Sequence, residues 1–202
     1  TRSADRRIRV GYTALQANLT ANEWQTPEQP VAFTIDTNSL DGVPQEAVGR
    51  LTIRALRQPA NVLRTPLQED QPYWWRRNVG EPKDDPTNPD TWEPTGAATE
   101  RPFQTDASGQ VQVSVPLPAG IYRASLETKD RFGKRVTARQ TVQVLDPQAT
   151  RYGIKIANHF TARQWSVEPG DRFTALWGTG YDTGRAFVEL EPGVEGLVHV
   201  TE

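Results

Sequence analysis

The sequence predicts an all-β fold, an antiparallel β-sandwich of the immunoglobulin/fibronectin-like kind followed by a second, incomplete β-sandwich unit. Three observations carry this. Val111, Val113 and Val115 alternate with Gln112 and Ser114, and Tyr122, Ala124 and Leu126 alternate with Arg123, Ser125 and Glu127, so each run presents one apolar face. The turn Lys129-Asp-Arg-Phe-Gly133 puts Asp and Gly where a hairpin needs local side-chain bonding and a positive φ, and Val136 and Thr141 to Val144 resume the extended pattern. Helical periodicity is scarce: its best window, near residues 13–24, reads equally well as a strand and a polar loop.

Taken in order, strands are expected at residues 8–17, 30–36, 48–56, 110–116, 120–129 and 135–145, each bounded by Pro, Gly, Asn or Asp. These form a first domain over residues 1–148. Between residues 57 and 102 the pattern breaks, because Pro59, Pro66, Pro72, Pro82, Pro86, Pro89, Pro94 and Pro102 deny ladder donors at short intervals. That stretch reads as an insertion folded back over one face of the sandwich. Its aromatic content makes it the candidate interaction surface: Tyr73, Trp74, Trp75, Arg76, Arg77 and Trp92 could stack sugar rings or a partner's side chains. The competing expectation is that the tryptophans anchor the insertion by burial, worth about 2 to 3 kcal/mol each if complete.

Leu145-Asp-Pro-Gln148 reads as a domain exit, since Pro147 ends the strand and polar residues come after it. The second unit, residues 149–202, offers strands at 152–157, 164–167, 172–178, 185–191 and 196–201, with Glu168-Pro-Gly-Asp171 as a tight turn. So short a unit is near the lower limit for an independent core. Its open edges are expected to pair with the first domain, with a second copy of the chain or with neighbouring domains of a longer protein.

Composition narrows the function classes. The 202 residues contain no Met and begin at Thr1, so the chain is expected to be a piece or processed product of something longer. A hydrophobic content of 36%, with six Trp, is enough for packed cores. The net charge of −2, with basic and acidic residues interspersed, gives no footprint for nucleic acid or an anionic membrane. No run is long enough to span a bilayer, and no targeting signal stands in the chain. Zero Cys excludes disulfides, thiolate metal sites and cysteine nucleophiles within it.

The enzyme-like motifs are weak. Asp182-Thr-Gly184 matches the triplet of aspartic proteases, but Arg185 comes after it, Gly180-Tyr181 precedes it and no second copy exists. Gly178-Thr-Gly-Tyr-Asp-Thr-Gly184 places its third Gly one position late for a dinucleotide loop. Asp84, Asp85, Asn88 and Asp90 lack the spacing of a calcium loop, and His159 and His199 lie forty residues apart without a carboxylate pattern. The expectation is no enzyme, no cofactor and no metal.

Three segments carry a family likeness. Gly49-Arg-Leu-Thr-Ile-Arg-Ala-Leu-Arg-Gln-Pro59 running to Arg64-Thr-Pro-Leu67, Leu117-Pro-Ala-Gly-Ile-Tyr122 with Glu127-Thr-Lys-Asp-Arg-Phe-Gly133, and Trp165-Ser-Val-Glu-Pro-Gly-Asp171 with Gly184-Arg-Ala-Phe-Val-Glu189 resemble bacterial members of the alpha-2-macroglobulin family. The resemblance implies macroglobulin-type sandwich domains from a secreted, periplasmic or cell-envelope protein. Such proteins present a bait, collapse on cleavage and entrap the protease, some through a thioester that needs a Cys. With no Cys here, the resemblance implies a non-catalytic, non-thioester section of an endopeptidase trap, whose partners are neighbouring domains and target proteases. The alternative is a surface adhesin or carbohydrate-binding module using Trp74, Trp75 and Trp92.

Overall fold

The computed structural model describes residues 12–64, 85–168 and 170–187. Strands form where the sequence alternates: β1 (Leu15–Ala21), β2 (Val31–Ser39), β3 (Val48–Leu56), β4 (Pro94–Gln104), β5 (Gln110–Val115), β6 (Gly120–Lys129) and β7 (Arg135–Val144). A three-stranded antiparallel sheet, in the order β1-β2-β5, faces a four-stranded one, in the order β4-β3-β6-β7. The fourth strand thus pairs with the third, whereas in an immunoglobulin constant domain it lies beside the fifth and belongs to the other sheet.

Its core is the inward register of both sheets. Leu19, Val31, Phe33, Ile35 and Val115 meet Leu51, Ile53, Ala124, Leu126, Val142 and Val144. Phe33, Ile35 and Leu51 are fully buried, each contributing about 1.5 to 3 kcal/mol by its removal from water.

Three local devices hold the corners. At the turn between β6 and β7, Gly133 takes φ +77° and the Asp130 carboxylate accepts the N–H groups of Phe132 at 2.9 Å and Lys134 at 2.8 Å. The same carboxylate accepts Ala14 N–H at 2.9 Å, which ties the hairpin to the entry of β1. Before β6, the Tyr122 hydroxyl donates back to Pro118 O. Inside, the hydroxyls of Thr37 and Thr105 lie 2.8 Å apart, Ala47 N–H donates to Thr105 Oγ1 at 2.8 Å, and the Thr37 hydroxyl donates to Gln45 O at 2.6 Å. That network joins the ends of β2 and β4 to the strand-entry loop.

Two sequence expectations need correction. The stretch expected as an insertion, residues 57–102, ends in β4, which begins at Pro94 and carries Pro102 opposite Arg50. An edge strand uses ladder donors on one side only, so it tolerates prolines that would break a central one. The first strand, expected at 8–17, starts among the described residues at Leu15 and continues to Ala21.

In residues 149–187 the expected strands are mostly absent. Residues 152–157 and 164–167 pair with nothing as strands, and 172–178 shortens to β9 (Ala175–Gly178), which pairs antiparallel with an unexpected β8 (His159–Ala162). Of the strand expected at 185–191 only residues 185–187 are described, and they form none; 188–191 and 196–201 lie outside the described residues.

Candidate interaction surface

Residues of the four-stranded sheet that alternate with its inward core line its outer face. At one end of that face lie Leu56, Ile121 and Leu145, which would be exposed in an isolated sandwich. They are covered: Trp92 and Ile154 join them in a second buried cluster, with Tyr152, Ile156 and Leu176 packed around it. That end of the outer face is therefore the bed on which Tyr152, Ile154, Ile156 and Leu176 rest.

Polar contacts fix the register of that docking. Gln58 accepts Lys155 N–H at 2.7 Å and donates to Gly153 O at 3.3 Å, gripping one backbone segment from both sides. The Tyr152 hydroxyl donates to Gln143 Oε1 at 2.6 Å, and burial pushes its pKa far upward, keeping it protonated. The His159 ring stacks on Tyr152 with centroids 5.8 Å apart, and burial lowers its proton affinity while Glu23 raises it slightly. His159 Nε2 has no hydrogen-bond partner among the described residues, which fits a neutral imidazole held for its shape.

Of the sequence-predicted surface, Tyr73, Trp74, Trp75, Arg76 and Arg77 lie outside the described residues. Trp92 does not belong to an exposed platform. It is 6% exposed, its indole N–H donates to Pro86 O at 2.8 Å, and its ring belongs to the cluster of Leu56, Ile121 and Ile154. The preceding turn explains its position: Asn88 caps a single 3-10 turn, Pro89–Thr91, by accepting Asp90 N–H, and the chain leaves that turn with Trp92 aimed at the sheet.

Exposed aromatic groups occur instead on β8 and β9. Phe160 and Trp177 are direct cross-strand partners on the outward side, and the Trp165 ring meets Phe160 at 5.6 Å. Trp165 is 59% exposed and Trp177 39%. Sequence reasoning misses this pair because the β8 signal is only four residues long and resembles loop. The alternation Phe160-Thr161 against Leu176-Trp177 is the available clue.

Of the other motif residues, Asp84 and His199 lie outside the described residues, and Asp85, Asn88, Asp90, His159 and Asp182 lie within them. Asp85 accepts the N–H and hydroxyl of Thr87, and these hydrogen bonds hold its carboxyl below the usual range. Asp90 accepts the Thr141 hydroxyl at 2.6 Å. Asp182 sits exposed in a bend, and Gly184 packs beside Thr179 and the Trp177 ring. Among the described residues no three His, Asp or Glu side chains converge as metal ligands, and no helix is long and apolar enough to cross a membrane.

No family model matches the sequence, and no curated protein does. Among solved structures, the chain is similar to the transglutaminase of red sea bream, at 8% identity and a TM-score of 0.34. That match covers 84% of this chain and 20% of the enzyme, so the chain spans about a fifth of its length.

Proposed function

We propose that this chain is a non-catalytic structural section of a large alpha-2-macroglobulin-like endopeptidase inhibitor of the bacterial cell envelope. Its work is geometric: it holds successive β units at a fixed angle, so that cleavage elsewhere in the protein is passed on as rigid-body movement. The observation that carries this reading is the cluster of Leu56, Ile121, Leu145, Trp92 and Ile154, a buried seam between the sandwich and the segment after it. A seam of that kind stiffens a junction, whereas polar linkers leave neighbouring domains free to move.

The test uses the longer protein that carries this chain. Wild type and an Ile154→Asp variant are incubated with a panel of endopeptidases, and cleavage and protease retention are followed on native gels. Equal cleavage, with retention lost only in the variant, is the expected result. Failure of the wild type to retain any protease would overturn the proposal.

A second reading, a surface adhesin or carbohydrate-binding module, draws support from the exposed Phe160, Trp165 and Trp177 side chains. Flat aromatic faces stack on sugar rings. Glycan binding lost in a Trp165→Ala/Trp177→Ala variant of unchanged melting temperature would favour it. Trp74→Ala and Trp75→Ala test the other candidate platform in the same assay.

A further inference from the structure

We infer that Arg54 and Arg139, exposed among the described residues on the outer face of the four-stranded sheet, with Arg123 half-buried between them, form a docking site for an acidic, extended polypeptide segment of a partner. Arg54 and Arg123 are direct cross-strand partners, and Arg139 stands opposite Ser125, diagonal to Arg123. Like charges placed directly opposite destabilise a sheet, so the Arg54–Arg123 pair, with Arg139 diagonal to it, favours an added anion. The other arginines of this face are compensated: Arg50 pairs with Glu100 and Arg57 with Glu93 at 3.2 Å each, and Arg135 with Glu127 at 2.8 Å. Among the described residues, Arg54, Arg123 and Arg139 form no ion pair. Burial, with the field of Arg139 added to it, lowers the proton affinity of Arg123, and Asp90 opposes both.

A second observation opens the site. The β3–β4 register slips between Ile53 and Ala55, so Arg54 has no partner on β4. The residues of β4 at the slip are Gly96, Ala97 and Ala98, and a side chain added at Gly96 would meet nothing within 4 Å. Bulges on edge strands commonly re-aim a side chain at a functional position. Here the bulge sets the small residues Gly96, Ala97 and Ala98 of β4 beside Arg54.

The chemistry of the ligand is set by what this face already holds. Residues 85–93 of the chain itself, an acidic, proline-punctuated segment, lie against the same sheet. Arg123 donates to Pro89 O at 3.1 Å, Thr141 donates to Asp90, and Arg57 pairs with Glu93. An extended peptide with carboxylates at alternate positions continues that arrangement across Arg54 and Arg139, where the planar guanidinium forks donate bidentately to carboxylates. The chain carries a net charge of −2, so attraction of an acidic peptide would come from this patch and not from the molecule's overall field.

The experiment is fluorescence anisotropy on the 202-residue chain with a labelled Glu/Pro peptide, at low and high salt, with heparin and inorganic phosphate as competitors. Saturable peptide binding that weakens with salt is expected. The Arg54→Ala/Arg139→Ala variant should lose about tenfold in affinity, with a melting temperature equal to or above wild type because repulsion is relieved. Arg135→Gln, at the far and already paired end, should bind as wild type does. Undiminished binding by the double variant, no peptide binding at all, or binding of heparin alone would each overturn the proposal.

Discussion

The Tyr122 hydroxyl donates a hydrogen bond to the carbonyl of Pro118, 3.0 Å away and four residues earlier in the chain. This closes the corner through which the chain passes into β6, the tyrosine-corner arrangement of Greek-key sandwiches. The ring packs against the inter-sheet core while its hydroxyl stands near Gly120, where an added Cβ would come within 3.2 Å of it. Tyr122→Phe keeps the packing and deletes one hydrogen bond, so a loss of about 0.5 to 1.5 kcal/mol is expected by urea unfolding. Burial raises the pKa of the Tyr122 hydroxyl in the folded state, disfavouring its ionised form. For an acid whose folded value is raised, the contribution is complete below the ordinary tyrosine range near pH 10 and is lost as pH rises through the higher folded value. The Phe variant should lack that part of the alkaline slope.

Asp130 predicts an acid response of opposite sign. Its carboxyl is held below the usual range, first by Ala14 N–H, then by Lys134 and Phe132 N–H, against the effect of burial. A depressed folded value gives stability that is present above about pH 4 and is lost as pH falls through it. Asp130→Asn should lower the melting temperature at pH 7 and flatten its dependence between about pH 5 and pH 2. An unchanged acid slope would show that the bond to Ala14 carries no weight.

His159 should respond earlier and more locally. Burial beside Tyr152 lowers its proton affinity, so the neutral ring is favoured in the fold and stability present above about pH 6.5 declines as pH falls. Protection factors, referred to the intrinsic exchange rate at each pH, are expected to fall around His159 between about pH 7 and pH 5 while those of the sandwich strands stay constant. His159→Phe should remove the effect.

Thr105→Val tests the interior network. The substitution conserves shape but leaves Ala47 N–H without its acceptor in a site where Thr37 and Thr105 are fully buried. An unsatisfied buried donor costs about 1 to 3 kcal/mol, measurable as a lower denaturant midpoint with unchanged slope.

The strands legible in the sequence are those whose side chains alternate between a packed layer and water. β3 and β6 match their expected bounds, and Asp130 and Gly133 do in the hairpin what their residue types suggest. β4 escapes because its prolines are harmful only to a strand paired on both sides, and edge position is a property of the sheet. Thr37 and Thr105 escape for a related reason: a buried hydroxyl pair is made by two residues 68 positions apart and leaves no local pattern. Residues 152–156 alternate as a strand does, yet the alternation serves burial against Leu56 and Ile121 with no ladder formed. Period alone cannot distinguish the two, since an extended segment lying on a sheet face buries every second side chain just as a paired strand does.

Trp92 provides the strongest test of that seam. Its indole fills the space between the outer face at Leu56 and Ile121 and the later segment at Ile154, with Pro86 O taking its N–H. Trp92→Ala should cost about 3 to 5 kcal/mol, the range for deleting a large buried aromatic side chain. Trp92→Phe should recover most of this, losing chiefly the hydrogen bond. If the seam couples the two parts, calorimetry of the wild type shows one transition, while the Ala variant shows residues 149–187 released first and cut by trypsin at Arg151 or Lys155. A variant that melts in one transition with no new cleavage would mean that Gln58 and the Tyr152–Gln143 bond hold the segment without the indole.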